Sequence, residues 1–169
     1  NTPTGEAGQD VAVSGNYAYF ASGYTLKIID ISNPSAPTLT GTWYSGAWVM
    51  DVTVIGNYAY LANGNGGLQI IDISNPSAPT LTGTYYNNNY CPALGVTVIG
   101  NYAYVAAYSG GLNQPAVSNL QIIDISNPSA PTLTGTCNTT GSPFGVTVIG
   151  NYAYVADYGD GLKIIDISN

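Results

Sequence analysis

Few side chains in this sequence can do chemistry, and they are of few kinds. There are nine carboxylates, two lysines (Lys27 and Lys163), two cysteines and no histidine; arginine is absent as well. Lack of histidine removes the commonest general base and zinc ligand. Lack of arginine removes the planar clamp for phosphate or carboxylate substrates. Paired carboxylates alone can hydrolyse glycosides, but no acid and base stand out as a pair.

Three sets of carboxylates invite a site. Asp157 and Asp160 share the loop Asp157-Tyr-Gly-Asp-Gly161, similar to a fragment of a calcium loop without its further acidic ligands. Asn63 and Asn65 hold the corresponding place earlier in the chain, and a capped turn explains the pattern better than a calcium site. Asp30, Asp72, Asp124 and Asp166 recur before Ile-Ser-Asn, where a carboxylate hydrogen-bonds the backbone of the following turn. Asp10 and Asp51 stand where Gly95 and Gly145 stand in later copies, a placement at the mouth of a channel that suits an ion or water.

Cys91 and Cys137 form a candidate disulfide in an oxidising compartment, provided their Cα atoms come within about 7 Å. Asn138-Thr-Thr is the one N-glycosylation sequon. Charged residues make up 7% of the chain against a typical level of about 25%, while 45% are hydrophobic. The surface is therefore built from Thr, Ser, Asn and Tyr, and disorder is not the explanation. A net charge of -7 leaves no means of neutralising a phosphate backbone or an anionic membrane, so nucleic acid and membrane insertion are not expected. No apolar run approaches the roughly 18 residues of a membrane span, and Asn1 opens no basic-then-apolar leader, so the chain reads as a mature protein or a fragment.

The elements that position these groups come from an internal repeat. GNYAY begins at Gly15, Gly56, Gly100 and Gly150, with periods of 41, 44 and 50 residues. Each copy holds an alternating β-branched run such as Val52-Thr-Val-Ile55, then Gly-Asn, then Tyr-Ala-Tyr-Val-Ala or a near copy. A Gly at the first central position suits a two-residue hairpin turn. LKIIDI or LQIIDI follows, apolar on both faces and so buried on both. SNPSAP then breaks the ladder, and Thr38-Leu-Thr-Gly41 and its copies make a fourth strand.

Four short antiparallel strands per copy, at about 40 to 45 residues, predict an all-β, four-bladed β-propeller in one domain. The blades fall at about 8–42, 49–84, 94–136 and 144–169. The last lacks its fourth strand. Thr2-Pro3-Thr4-Gly5 aligns with Thr38-Leu-Thr-Gly41, so the N-terminal segment 1–5 is expected to complete blade four and close the ring within one chain. Otherwise the edge at Leu162–Ile167 stays open to self-assembly through strand addition.

GNYAYVAD paired with GLKIIDISNPSAP resembles the LVIVD-repeat family across essentially the whole chain. The resemblance implies propeller modules of bacterial and archaeal surface or secreted proteins, hence an extracellular or cell-surface setting, without catalytic residues to transfer.

Length variation is confined to two intervals. From the second Tyr of GNYAY to the next Leu is 7, 8, 16 and 8 residues, and from the fourth-strand Gly to the next repeat is 15, 17 and 15. In a meander both emerge at the same end, which should be irregular and dominated by residues 104 to 120. That end carries Tyr24, Trp43, Tyr44, Trp48, Tyr85, Tyr86, Tyr90, Tyr108, Phe144 and Tyr158 among Asn87, Asn88, Asn89 and Asn113. Aromatic stacking there would hold sugars or a protein partner, whereas some of these rings would instead cap the blade core. The expected function is a non-catalytic structural or adhesive surface module with no cofactor. The alternative is a glycan-binding propeller using the aromatic end.

Overall fold

The computed structural model describes residues 7–86, 91–111 and 114–168. It is all β. Blade one is β1 (Gly8–Ser14), β2 (Tyr17–Ser22), β3 (Thr25–Asp30) and β4 (Thr38–Tyr44); blade two is β5 (Asp51–Ile55), β6 (Tyr58–Ala62), β7 (Leu68–Asp72) and β8 (Thr80–Tyr85). Blade three is β9 (Ala93–Ile99), β10 (Tyr102–Gly111), β11 (Gln114–Asp124) and β12 (Thr132–Asn138). Blade four is β13 (Ser142–Ile149), β14 (Tyr152–Tyr158) and β15 (Gly161–Asp166). Each blade is an antiparallel meander, four-stranded in the first three and three-stranded in the fourth among the described residues. The inner strands β1, β5, β9 and β13 follow one another side by side, which makes the molecule a four-bladed β-propeller. The expected closing strand at Thr2, Pro3, Thr4 and Gly5 lies outside the described residues.

Local chemistry sets the registers. Ser14 faces Tyr17, Ile55 faces Tyr58, Ile99 faces Tyr102 and Ile149 faces Tyr152, so each Gly-Asn is a two-residue hairpin loop. The glycine opens it with φ between 56° and 58° in all four copies, a conformation that costs glycine nothing. In blades one, two and three the outer pair shifts register once, between Ile28 and Ile29, Ile70 and Ile71, and Ile122 and Ile123. The same bulge in three copies bends each outer strand alike.

Call the side of a blade that meets the next blade its forward face and the other its rear face. Tyr19, Ala21, Leu26 and Ile28 of blade one pack on Val52, Ala59, Leu61 and Ile71 of blade two. Tyr60, Ala62, Leu68 and Ile70 of blade two pack on Val96, Val98, Ala103 and Ile123 of blade three. Tyr104 and Leu120 of blade three pack on Val148, Ala153 and Val155 of blade four. Each fully buried Leu or Ile contributes roughly 1.5–3 kcal/mol by removal from water, so these three junctions hold most of the core. Among the described residues no buried cluster joins blade four to blade one.

The two ends of the propeller differ as the intervals predict. At one end Ile31, Ile73, Ile125 and Ile167 each donate a backbone hydrogen bond to the hairpin Asn of their own blade. At the other end the links between blades run back over the turns, as where Ser45 N donates to Tyr24 O at 2.9 Å and Tyr108 N to Pro92 O at 3.1 Å. The long insertion in blade three lies at this second end and is a paired hairpin with one register shift, between Ser109 and Gly111. Its strands stay paired from Tyr102 with Asp124 out to Gly111 with Gln114, because Ala107, Tyr108 and Ser109 opposite Asn119, Ser118 and Val117 continue the ladder instead of breaking it.

Candidate functional site

The variable end is where loops from all four blades gather, and the structure sorts its aromatic residues into two groups. Trp43 is half-buried against the core between blades one and two, where its Nε1 donates to Gln69 Oε1 at 3.2 Å. Tyr85 packs against the core between blades two and three, and burial raises the pKa of its hydroxyl. Tyr108 is half-buried as well. Trp43 and Tyr85 cap blade junctions and are not free to stack on a ligand.

The second group is exposed. Tyr24, Tyr44 and Trp48 form one cluster, with ring centroids 6.3 Å apart for Tyr24 and Tyr44 and 5.5 Å for Tyr24 and Trp48. The cluster is held by backbone: Thr25 pairs with Tyr44, and Val49 N donates to Gly23 O at 2.8 Å, which folds the Trp48 link onto the turn before Tyr24. Ser45 locks that link, donating through its hydroxyl to Ala47 O at 2.6 Å. Tyr86 is exposed nearby in sequence to Tyr85, and Tyr158 is exposed on blade four, where a groove of about 410 Å³ is lined by Phe144, Ala156, Tyr158 and Leu162. Tyr90, Asn87, Asn88, Asn89 and Asn113 lie outside the described residues.

The carboxylates are taken up locally. Asp30, Asp72, Asp124 and Asp166 each accept from the backbone amide of the Ser two residues on, at 2.8 to 2.9 Å. Hydrogen bonds from the same Ser, its hydroxyl first and its amide second, hold all four carboxyls below their usual range. Asp157 and Asp160 meet adjacent residues of the link before blade four. Asp157 is buried and accepts from Gly141 N at 3.2 Å, whereas Asp160 sits at the surface, accepts from Thr140 Oγ1 and pairs with Lys163 Nζ at 3.2 Å. Asp157 Oδ1 is buried without a hydrogen-bond partner among the described residues. Among the described residues no three His, Cys, Asp or Glu come together as a metal site.

Both cysteines are free thiols, which corrects the expected disulfide. Cys91 Sγ lies 3.7 Å from Val117 O, while Cys137 faces Leu120 three residues along the same strand. That offset is about 10 Å at 3.3–3.4 Å per residue, beyond disulfide reach. Burial pushes the Cys91 thiol up to about 11, so it is an inert core group. Asn138 is exposed at the end of β12, and Thr139 of its sequon is hydrogen-bonded to Ser118.

One arrangement exceeds what the sequence suggested. Asp10 Oδ2 accepts from Val52 N at 3.1 Å, and Asp51 Oδ2 accepts from Val96 N at 2.7 Å, so each carboxylate ties its own blade to the inner strand of the next. Asp51 also accepts from its own neighbour, Val52 N, at 2.8 Å. Burial first, then the hydrogen bond and charge of Asp10, push Asp51 up to about 7 against the pull of the two amides. The two carboxyls therefore act as staples between blades rather than as an ion site. The signal was present in the interruption of the series by Gly95 and Gly145, but the partner amides belong to other blades and are not visible in one repeat.

No curated protein matches the sequence. Among solved structures the fold is similar to the computationally designed Ika4 protein, with a TM-score of 0.77, 14% identity, and coverage of 99% of this chain and 95% of that one. It is similar to the computationally designed Ika8 protein with a TM-score of 0.74 and 13% identity, over 96% of this chain and 46% of that one, so this chain spans under half of its length. A functionally unknown protein from Desulfotomaculum acetoxidans DSM 771 matches with a TM-score of 0.56 and 16% identity, over 96% of this chain and 66% of that one. Residues 5–44, 46–87, 92–139 and 140–169 each match the LVIVD repeat. The chain belongs to the LVIVD repeat family, and its four repeats are its four blades.

Proposed function

We propose that the chain is a non-catalytic structural or adhesive module of the cell exterior, presenting a rigid, weakly charged propeller end to a protein or glycan partner. The observation that carries this reading is the disposition of the polar groups. The turn carboxylates hold loops, Asp10 and Asp51 staple blades, and both thiols are free within the packed blades. What remains on display at the variable end is aromatic surface. Localisation tests the setting: surface biotinylation of intact cells should label the protein as strongly as it does after lysis, and labelling only after lysis overturns it.

A glycan-binding reading has one specific observation in its favour, the exposed cluster of Tyr24, Tyr44 and Trp48 on a backbone-locked platform. Aromatic faces of this kind stack on sugar rings and on partner side chains. A glycan array with the parent chain and a Tyr24→Ala, Trp48→Ala double variant separates the two. Sugar binding lost in the variant supports a lectin; no binding by the parent leaves the adhesive protein module.

A further inference from the structure

The blades at the two ends of the arc expose surface that every internal blade buries. Leu26, Leu68 and Leu120 occupy one position on the forward faces of blades one, two and three, all at 0–1% exposure, yet Leu162 at that position in blade four is 65% exposed. Ile28 and Ile70 are fully buried and Ile122 half-buried, whereas Ile164 is 60% exposed. The rear faces show the reverse end. Val52 and Val96 are 3% exposed while Val11, their equivalent in blade one, is 55% exposed, and Val13 beside it is also exposed. Clusters of large apolar groups left open in this way mark an interface.

We propose that two copies of this chain close into a single ring of twice four blades, blade four of each copy packing its forward face on the rear face of blade one of the other. The occupant is named by the existing junctions. The exposed forward face repeats the residues that blades one and two use against a rear face. The exposed rear face repeats the residues that blades two and three offer in return. A blade of this same sequence is thus the surface each end is built to meet. The groove lined by Phe144, Ala156 and Leu162 extends the open face of blade four and would be filled by the same contact. The four blades superpose on 46% of the Ika8 chain with a TM-score of 0.74, so similar blade packing continues there over about twice this length, which two copies in series would match. A contact between unlike patches closes when its rotation permits and otherwise runs on as a filament.

The proposal stands apart from the cellular setting and is tested on the 169-residue chain alone. Native mass spectrometry and light scattering should give a dimer, twice the 17.5 kDa of one chain. Leu162→Asp and Val11→Asp should each give monomer with an unchanged far-ultraviolet circular dichroism spectrum, with the dimer weakened more than about tenfold. An equimolar mixture of the two should regain a 1:1 complex, because one of its two junctions is then wild type on both sides. If either variant fails to fold, Ile164→Gln and Val13→Thr probe the same faces more gently. A monomeric parent, an open-ended series of oligomers, or a Val11→Asp chain that still dimerises as the parent does would overturn it.

Discussion

Blade two and blade four are written in nearly the same letters, Tyr58-Ala-Tyr-Leu-Ala with Leu68-Gln-Ile-Ile-Asp against Tyr152-Ala-Tyr-Val-Ala with Leu162-Lys-Ile-Ile-Asp. Their strands pair in the same register, Tyr60 with Ile70 and Tyr154 with Ile164. Yet the first is sealed between two neighbours and the second has one. Strand formation here is a property of the repeat, whereas burial is a property of the neighbour. In repeat architectures stability is approximately a sum of unit and interface contributions, so the same substitution should cost differently in the two blades.

The largest expected effect breaks that pair apart. Ile70→Ala removes a side chain that is fully buried between blades two and three and should lower unfolding free energy by about 2–5 kcal/mol. Ile164→Ala alters a side chain that is mostly exposed in the single chain, where about 0.5 kcal/mol or less is expected. Urea unfolding of the dissociated chain measures both. Equal losses would show that blade four is as enclosed as blade two.

The second effect uses the inner strands, where Asp51 opens blade two and Gly145 stands in blade four. Asp51 is held at about 7 when folded against about 3.9 for an unfolded Asp. The folded state therefore binds this proton more tightly. Its stabilising contribution is full below about pH 4, falls as pH rises through about 7, and each unit of that window removes up to about 1.4 kcal/mol. Asp10→Asn takes away the neighbouring charge and should flatten the decline in Tm between pH 5 and 8. Because net repulsion in a chain of charge -7 slopes the same way, Asp160→Asn, which removes one charge that bonds to neither Asp10 nor Asp51, is the control. Parallel Tm profiles for the parent and Asp10→Asn would mean that the two carboxyls are uncoupled.

Much of this was legible beforehand, for identifiable reasons. Gly-Asn between two β-branched or aromatic runs specifies a two-residue hairpin locally, so the register at Ser14 and Tyr17 needed no tertiary information. The interval arithmetic located the variable end because meander connectivity alternates ends whatever the side chains do. Asp30 and its copies act on backbone two residues away and were readable as turn caps. What escaped depends on groups distant in sequence. Trp43 pairs with Gln69 in the next blade, and Asp51 with the amide of Val96. The β10–β11 hairpin escaped because Gly110, Gly111 and Pro115 suggest a loop, while the cross-strand pairing between them and the blade carries the ladder outward.

The smallest effect concerns how an outer strand meets the next blade's proline loop. A Cβ on Gly83 of blade two would lie 2.1 Å from Pro128 O of blade three, and one on Gly41 of blade one 2.0 Å from Pro76 O. Those carbonyls are backbone within hydrogen-bonded turns, such as Ala130 N to Asn127 O at 3.0 Å, and cannot move without loosening the junction. Gly135 holds the same place in blade three, but its Cβ would meet only Ile122 Cδ1 at 3.8 Å. A cleft of about 430 Å³ lined by Ile122, Thr134, Gly135 and Ile167 opens beside it. Gly83→Ala should therefore cost about 1–3 kcal/mol as an overpacked contact. Gly135→Ala should be neutral or gain a few tenths from the stiffer unfolded chain. Thermal unfolding of the two single variants measures the difference. If Gly135→Ala is as damaging as Gly83→Ala, something occupies that cleft in solution.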